Sequence, residues 1–336
     1  MTERRFQAIL IDKQEDGQSA SLTELALADL PDRDVLVRVE ASGLNYKDGL
    51  LLSGAIPLIH SYPMVPGIDL AGTVIESRDA RWSPGDRVIA NGWGLGEKHW
   101  GGFAEFARLD GDWLVRCPED FTARQSMMIG TAGYTAMLCL LALERHGVMP
   151  GDGDILITGA SGGVGSIAIS LLAGCGYRVV ASTGRPQEAE YLRALGAAEI
   201  ADRAALSEPG APLQSERWAG AIDTAGSHTL ANICAQLRYG GTVAATGIAQ
   251  GADFPATMYP LALRGITICG VDSVHAPMAL REKAWQRLAR DLDRAHLEQL
   301  SDEVGLADAI GLAPSILAGG VRGRTVITMP HQGQDA

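Results

Sequence analysis

Over the first 127 residues the apolar positions come in short runs separated by turn-forming residues. Ala8–Asp12, Asp34–Ser42, Gly72–Glu76, Asp86–Ala90 and Phe103–Leu109 read as strands, with SPGD and LDGD as turns between them. The texture then changes. From Ser126 to Glu144 the apolar positions run on at helical length, predicting one buried helix. After MPGDGD, strand and helix patterns alternate: strand 155–158, helix 166–173, strand 178–182, helix 186–195, strand 219–222, a helix near 230–237, and strands 242–246 and 267–271. Alternation at this spacing predicts a doubly wound α/β domain on a parallel sheet. A polar helix is expected from Pro277 to about Leu297, with Leu280, Ala284, Leu288 and Leu292 as its buried stripe. A strand, RTVITMP, comes near the end and is expected to return to the first part.

The 336 residues fit two domains, and 46% hydrophobic content with 20% charge suits a soluble globular chain. A net charge of −12 argues against a nucleic-acid partner, which needs a basic face. Five dispersed cysteines without a C-x-x-C pair fit neither a disulfide framework nor a zinc cluster. Two uncharged runs, 125–143 and 155–177, are long enough to suggest membrane spans, but glycine and small polar residues interrupt both. With no signal-like N-terminus, the expectation is a cytoplasmic protein with no membrane partner.

Candidate chemistry begins at Gly159-Ala-Ser161-Gly162-Gly163-Val164-Gly165. It sits between a predicted strand and a predicted helix, the setting a dinucleotide pyrophosphate requires. Bare glycines let the backbone turn tightly and let phosphate approach, and the helix start offers free N–H groups. The second strand ends in Ser182-Thr183-Gly184-Arg185, where an NAD site would carry an acid for the ribose hydroxyls. Arg185 in that place suits a 2′-phosphate, with Ser182 and Thr183 as hydroxyl donors and Arg203 as a second cation. The predicted cofactor is therefore NADPH.

Two stretches of the first part, Gly43-Leu-Asn45-Tyr46-Lys47-Asp48 and Pro63-Met-Val-Pro-Gly67-Ile68-Asp69-Leu-Ala-Gly72, together with the domain order, resemble the medium-chain dehydrogenase/reductase superfamily. In its zinc enzymes a Cys stands where Asn45 is and Gly-His-Glu where Gly67-Ile68-Asp69 is. The chain thus looks like the zinc-independent, quinone-oxidoreductase-like branch, with no metal site expected. Trp93–Gly102, Gly111–Leu114, Ile129–Met137 and Trp218–Thr224 look like the acrylyl-CoA reductase (NADPH) group. The resemblance implies a β-rich GroES-like domain, residues 1–127 completed by about 298–336, and a Rossmann NADPH domain, residues 128–297. It implies reduction of acryloyl-CoA, an acyl-CoA partner and a homodimer. It also implies cofactor contacts at Tyr46, the glycine turn, Thr183-Gly184-Arg185, Arg203, Ile248 and Ser273.

Hydride addition to an alkene conjugated to a thioester needs stabilisation of an enolate and a proton, which a few hydrogen-bond donors can supply. Asn45 and Tyr46 are the catalytic candidates, Asn45 as an amide donor and Tyr46 as a phenol donor. Tyr46 as a pure cofactor contact is equally open. Asp48 is expected to hold the loop. Lys47 is either a contact for a CoA phosphate or a solvated lysine. Arg264, Arg322 and Arg324 are candidates for a basic rim or ordinary surface arginines. The alternatives in function are an NADPH:quinone reductase and a non-catalytic NADPH-binding protein.

Overall fold

The computed structural model describes residues 4–330. Two compact units emerge. One comprises residues 4–131, 273–285 and 297–330, the other residues 132–272 and 286–296. Residues 273–285 thus pack with the first unit, although they lie inside the segment that the sequence assigns to the second.

The first unit holds a seven-stranded mixed sheet and a two-stranded hairpin, Arg5–Gln14 with Gly17–Ala26. In the sheet Val35–Leu44, Asp69–Ser77, Arg87–Asn91 and Leu114–Arg116 pair antiparallel in that order, and Phe106–Leu109 pairs with the first of them. The strand Arg324–Thr328 closes against Val35–Leu44, with Thr325 opposite Leu44. Val35, Val37 and Val39 alternate into a core with Ile9, Leu70, Val88 and Phe103. Leu36, on the opposite face, is also buried, in a second cluster with Phe6 and Phe106, so this end of the strand is covered on both sides.

The second unit is a six-stranded, wholly parallel sheet. Its spatial order is Glu199–Asp202, Arg178–Thr183, Asp154–Ile157, Trp218–Asp223, Leu237–Ala245 and Thr267–Gly270. In chain order that is 3-2-1-4-5-6, the doubly wound arrangement expected, with a switch point between the third and fourth positions. Ile155, Leu156, Ile157, Val179, Val180 and Ala181 are all fully buried, since helices cover both faces.

Three predicted helices differ. The single helix of 126–144 spans Ala123–Arg145 but breaks at Gly130, whose φ is 53° and ψ −161°. A Cβ there would lie 2.3 Å from Arg324 Nη2, so only glycine fits. The polar helix is two, Met278–Asp291 and Arg294–Leu300. Asp293 separates them, and its carboxylate accepts the Ala295 N–H at 2.9 Å as a new helix start. The helix at 186–195 is a 3₁₀ turn, Pro186–Glu188, followed by Ala189–Ala194. The short helix Tyr46–Ser53 has no forerunner in the sequence pattern.

Candidate active site

In the second unit, the glycine turn lies at the carboxyl end of the strand Asp154–Ile157, beside the switch point. Each glycine has a different physical reason. Gly159 has φ 57°, and its Cβ would lie 2.3 Å from Thr224 Oγ1. A Cβ on Gly165 would lie 2.4 Å from the Gly159 carbonyl, so this glycine seats the helix on the strand. Gly162 is different: its Cβ would meet only the Gly159 carbonyl, at 3.3 Å. Folding alone does not demand Gly162, which fits a position kept bare for a ligand. Gly163 and Val164 open the helix Gly163–Gly174, and its N-cap, Gly162, supplies no side-chain acceptor to the first N–H groups.

Beside this turn stand the residues expected to read the ribose. Ser161 is buried, with its hydroxyl 3.3 Å from that of Thr183. Arg185 donates from Nη2 to Ser161 Oγ at 2.8 Å and to Ser161 O at 3.1 Å, and its N–H donates to Thr183 Oγ1 at 3.1 Å. The Arg203 N–H donates to the Thr183 carbonyl at 3.1 Å. Gly184 is bare because a Cβ would lie 2.7 Å from Arg203 Cζ. Two guanidinium groups, Ser161, Thr183 and a glycine therefore converge at one strand end. Ser182 is buried there, and its carbonyl accepts the Ala160 N–H at 3.2 Å. The neighbouring carboxylate, Asp202, lies opposite Thr183 in register and accepts the Ala204 N–H at 2.9 Å. Paired cations with hydroxyls suit a phosphate monoester.

At the switch point itself, a buried Asp223 organises the next strand end. It accepts from Thr158 Oγ1 at 2.7 Å and from the N–H groups of Gly226 at 2.8 Å and Ala225 at 3.2 Å. Burial raises its carboxyl above the ordinary range, against these three hydrogen bonds. Thr158 Oγ1 also accepts the Thr224 N–H, so the two central strand ends are locked together. Asp223 lies in the Trp218–Thr224 stretch, but its role is not legible there, because its partner Thr158 is 65 residues away in the chain. Ile248 lies in the loop after Leu237–Ala245 and is 70% exposed.

In the first unit, the carboxyl end of Val35–Leu44, the start of Asp69–Ser77 and the end of Arg87–Asn91 meet at one edge, with Asp69 opposite Asn91. Asn45 and Tyr46 emerge there. Asn45 is buried. Its Nδ2 has Asp48 Oδ2 at 3.1 Å, Asp69 Oδ2 at 3.1 Å and the Gly43 carbonyl at 3.2 Å, and its Oδ1 accepts from Arg324 Nη1 at 3.1 Å. The amide expected to face a substrate is thus taken up internally. Asp48 does hold the loop: it accepts from the N–H groups of Asn45, Gly67 and Ile68 at 2.9, 3.1 and 2.9 Å. Burial and the nearby Asp69 carboxylate push Asp48 up to about 7. Tyr46 opens the helix and is 54% exposed, so its phenol is available. Lys47 pairs with Glu97 at 2.9 Å.

Arg324 corrects an expectation. It is no rim residue but a fully buried cation that donates to the carbonyls of Leu44, Met127 and Met128. The last two lie just before the break at Gly130, whose following N–H, on Thr131, donates to Asp69 Oδ2 at 2.6 Å. Arg324 and Asp69 thereby satisfy the backbone groups around the break. Arg264 is likewise occupied, donating to the carbonyls of Ala235 and Leu237 at 2.8 and 3.1 Å. Arg322 is exposed. Ser273 is not an extension of the parallel sheet. It belongs to the first unit, where its carbonyl accepts from Arg281 Nη2 at 3.2 Å. Among the described residues no group of three or more His, Cys, Asp or Glu side chains is placed to hold a metal ion.

The chain matches the alcohol dehydrogenase GroES-like domain family over residues 31–119 and the zinc-binding dehydrogenase family over residues 163–290. It is similar to acrylyl-CoA reductase AcuI of Ruegeria pomeroyi, at 49% identity over 325 residues covering 96% of this chain and 98% of that one. Among solved structures it is similar to the yhdH oxidoreductase of Salmonella enterica in complex with NADP, with a TM-score of 0.95, 47% identity and coverage of 96% and 100%. It is also similar to Bacillus subtilis yhfP with NAD bound, with a TM-score of 0.94, 41% identity and coverage of 97% and 100%. That protein is described as a putative quinone oxidoreductase.

Proposed function

Since this chain belongs to the medium-chain dehydrogenase/reductase superfamily, we propose that it is an NADPH-dependent reductase of short 2-enoyl-CoA thioesters, acryloyl-CoA foremost, giving propionyl-CoA. The observation that carries this reading is the 49% identity to acrylyl-CoA reductase AcuI along nearly the whole of both chains. The second unit fits the cofactor. Gly162 keeps the turn bare, the uncapped helix start at Gly163–Gly165 suits a pyrophosphate, and Arg185 and Arg203 suit a 2′-phosphate.

NADPH, when bound, supplies the hydride that adds to the β-carbon of the alkene. The protein's part is to hold, orient and protonate. Tyr46, at the exposed start of its helix, donates its phenol hydrogen bond to the substrate or buttresses the cofactor. Asn45 serves as a positioning group, because Arg324, Asp48 and Asp69 already use its amide. Together these residues fix the backbone from which Tyr46 projects. The division of labour is a GroES-like part, residues 4–131 with 273–285 and 297–330, for the substrate and a Rossmann part, residues 132–272 with 286–296, for the cofactor. Ile248 and Ser273 are proposed as further cofactor contacts.

The identity to yhfP keeps a quinone reductase as the second reading. We place the enzyme in the cytoplasm as a homodimer. The apolar helix Ala123–Arg145 is long enough to cross a membrane, but 94% of its apolar window is buried within the protein. Oxidation of NADPH and NADH, each with acryloyl-CoA, crotonyl-CoA and a quinone, tests the reading. The expected order is NADPH with acryloyl-CoA first. A higher kcat/KM for the quinone would put the second reading in its place.

A further inference from the structure

Directly after the strand Arg87–Asn91, three consecutive residues adopt left-handed backbone: Gly92 at φ 73°, Trp93 at 56° and Gly94 at 78°. Glycine does this freely. A bulky residue rarely does, and it stays there only when its surroundings hold it. Here the hold is explicit. The Trp93 N–H donates to the Val274 carbonyl at 3.1 Å. The guanidinium of Arg281 lies 4.2 Å from the centre of the Trp93 ring. Arg281 is 1% exposed and donates to the carbonyls of Asn91, Ala276, Ser273 and Val274, at 2.7, 2.8, 3.2 and 2.6 Å. A buried cation thus pins the indole face and the loop backbone together.

That rigid mounting carries one unsatisfied group. The Trp93 indole Nε1 is buried and has no hydrogen-bond partner among the described residues. Buried indole N–H groups are normally paired, and leaving one unpaired is costly. The position is also specific. Asn91 lies opposite Asp69 in register, and the Gly92 N–H donates to the Ile68 carbonyl at 3.0 Å. Trp93 therefore leaves the sheet at the same edge of the first unit as Asn45 and Tyr46.

We propose that Trp93 is a substrate contact whose Nε1–H donates to the thioester carbonyl oxygen of the acyl-CoA, its ring forming an apolar wall for the short acyl group. This inference rests on the enoyl-thioester reading. The thioester oxygen is the acceptor on which negative charge grows as the β-carbon receives hydride. A donor with no internal partner to surrender stabilises that charge without first breaking a hydrogen bond of its own. Arg281 is then a positioning residue for the ring.

The test compares Trp93→Phe, which keeps an aromatic ring but loses the donor, with Trp93→His, which tolerates left-handed backbone and keeps a ring N–H. Trp93→Phe should lower kcat/KM for acryloyl-CoA by about 100-fold with KM for NADPH unchanged, and Trp93→His should retain more activity. Should Trp93→Phe fail to fold, the wild-type protein decides. In ¹⁵N-tryptophan-labelled protein with NADP⁺, six indole signals are expected. Propionyl-CoA should move the one missing from Trp93→His downfield, and CoA alone should not. An unmoved signal, an equal shift with CoA alone, or wild-type kcat/KM in Trp93→Phe would overturn the assignment. Absence of acryloyl-CoA turnover by the wild type would instead sink the parent reading, whatever Trp93 does.

Discussion

At the scale of single residues, three side chains carry separable roles. Arg185 is argued to meet a 2′-phosphate, so Arg185→Ala should weaken NADPH binding by about 1.5–3 kcal/mol, the range for a hydrogen bond to a charged group. NADH binding, measured by the same fluorescence titration, should hardly move; equal loss of both would remove Arg185 from the phosphate. Tyr46→Phe should lower kcat with NADPH affinity retained if the phenol acts in the transition state, whereas loss of NADPH affinity alone would make it a cofactor contact. Asp48 makes a prediction about stability. Its folded carboxyl is raised to about 7 from an ordinary 3.8, so between those values the folded protein binds more protons than the unfolded chain. Stability from this group is therefore full below about pH 4 and is lost as pH rises through 7. Asp48→Asn removes that slope. Urea midpoints from pH 4 to 8 should show the variant gaining on the wild type as pH rises, and a pH-independent difference would refute the assignment.

Among the elements, the broken helix Ala123–Arg145 shows how a distant residue dictates local structure. The sequence around Ile129-Gly-Thr-Ala-Gly reads as uninterrupted helix, and nothing local announces the break. It arises because Arg324, nearly two hundred residues away, donates to the carbonyls of Met127 and Met128, and Asp69 accepts the Thr131 N–H. Gly130→Ala should cost at least about 1–3 kcal/mol, the strain of a left-handed alanine, plus the displacement of a guanidinium that would lie 2.3 Å from its Cβ. Denaturant unfolding measures this, and a neutral substitution would mean the network yields easily. The glycine turn is the contrary case: its strand, its glycines and its helix are contiguous, so element and ligand preference were both readable locally.

For the molecule as a whole, the strand Thr267–Gly270 is the outer member of the six-stranded sheet and, among the described residues, has a neighbour on one side only. Exposed parallel edges of this kind pair or are covered in solution. Phe254, Met258, Tyr259 and Leu263, in the segment leading to it, are exposed apolar residues. Sedimentation at micromolar concentration should therefore give a homodimer, and Ile268→Lys on the edge strand should shift it towards monomer. A wild-type protein that is monomeric throughout would count against the pairing.

The sequence by itself determined the doubly wound half, its glycine turn, the lack of an acid at the second strand end and the presence of Arg185 there. Each depends on neighbours within one strand–turn–helix unit, where periodicity and backbone sterics act locally. Only the tertiary structure decided that Arg324 and Arg281 are buried, that Asn45 has its amide fully engaged, that residues 273–285 join the first unit, and that Trp93 is held strained with a free indole N–H. Those facts come from hydrogen bonds between segments far apart in the chain. A buried arginine and a surface arginine look the same in sequence, because what distinguishes them is which carbonyls the fold leaves for them to satisfy.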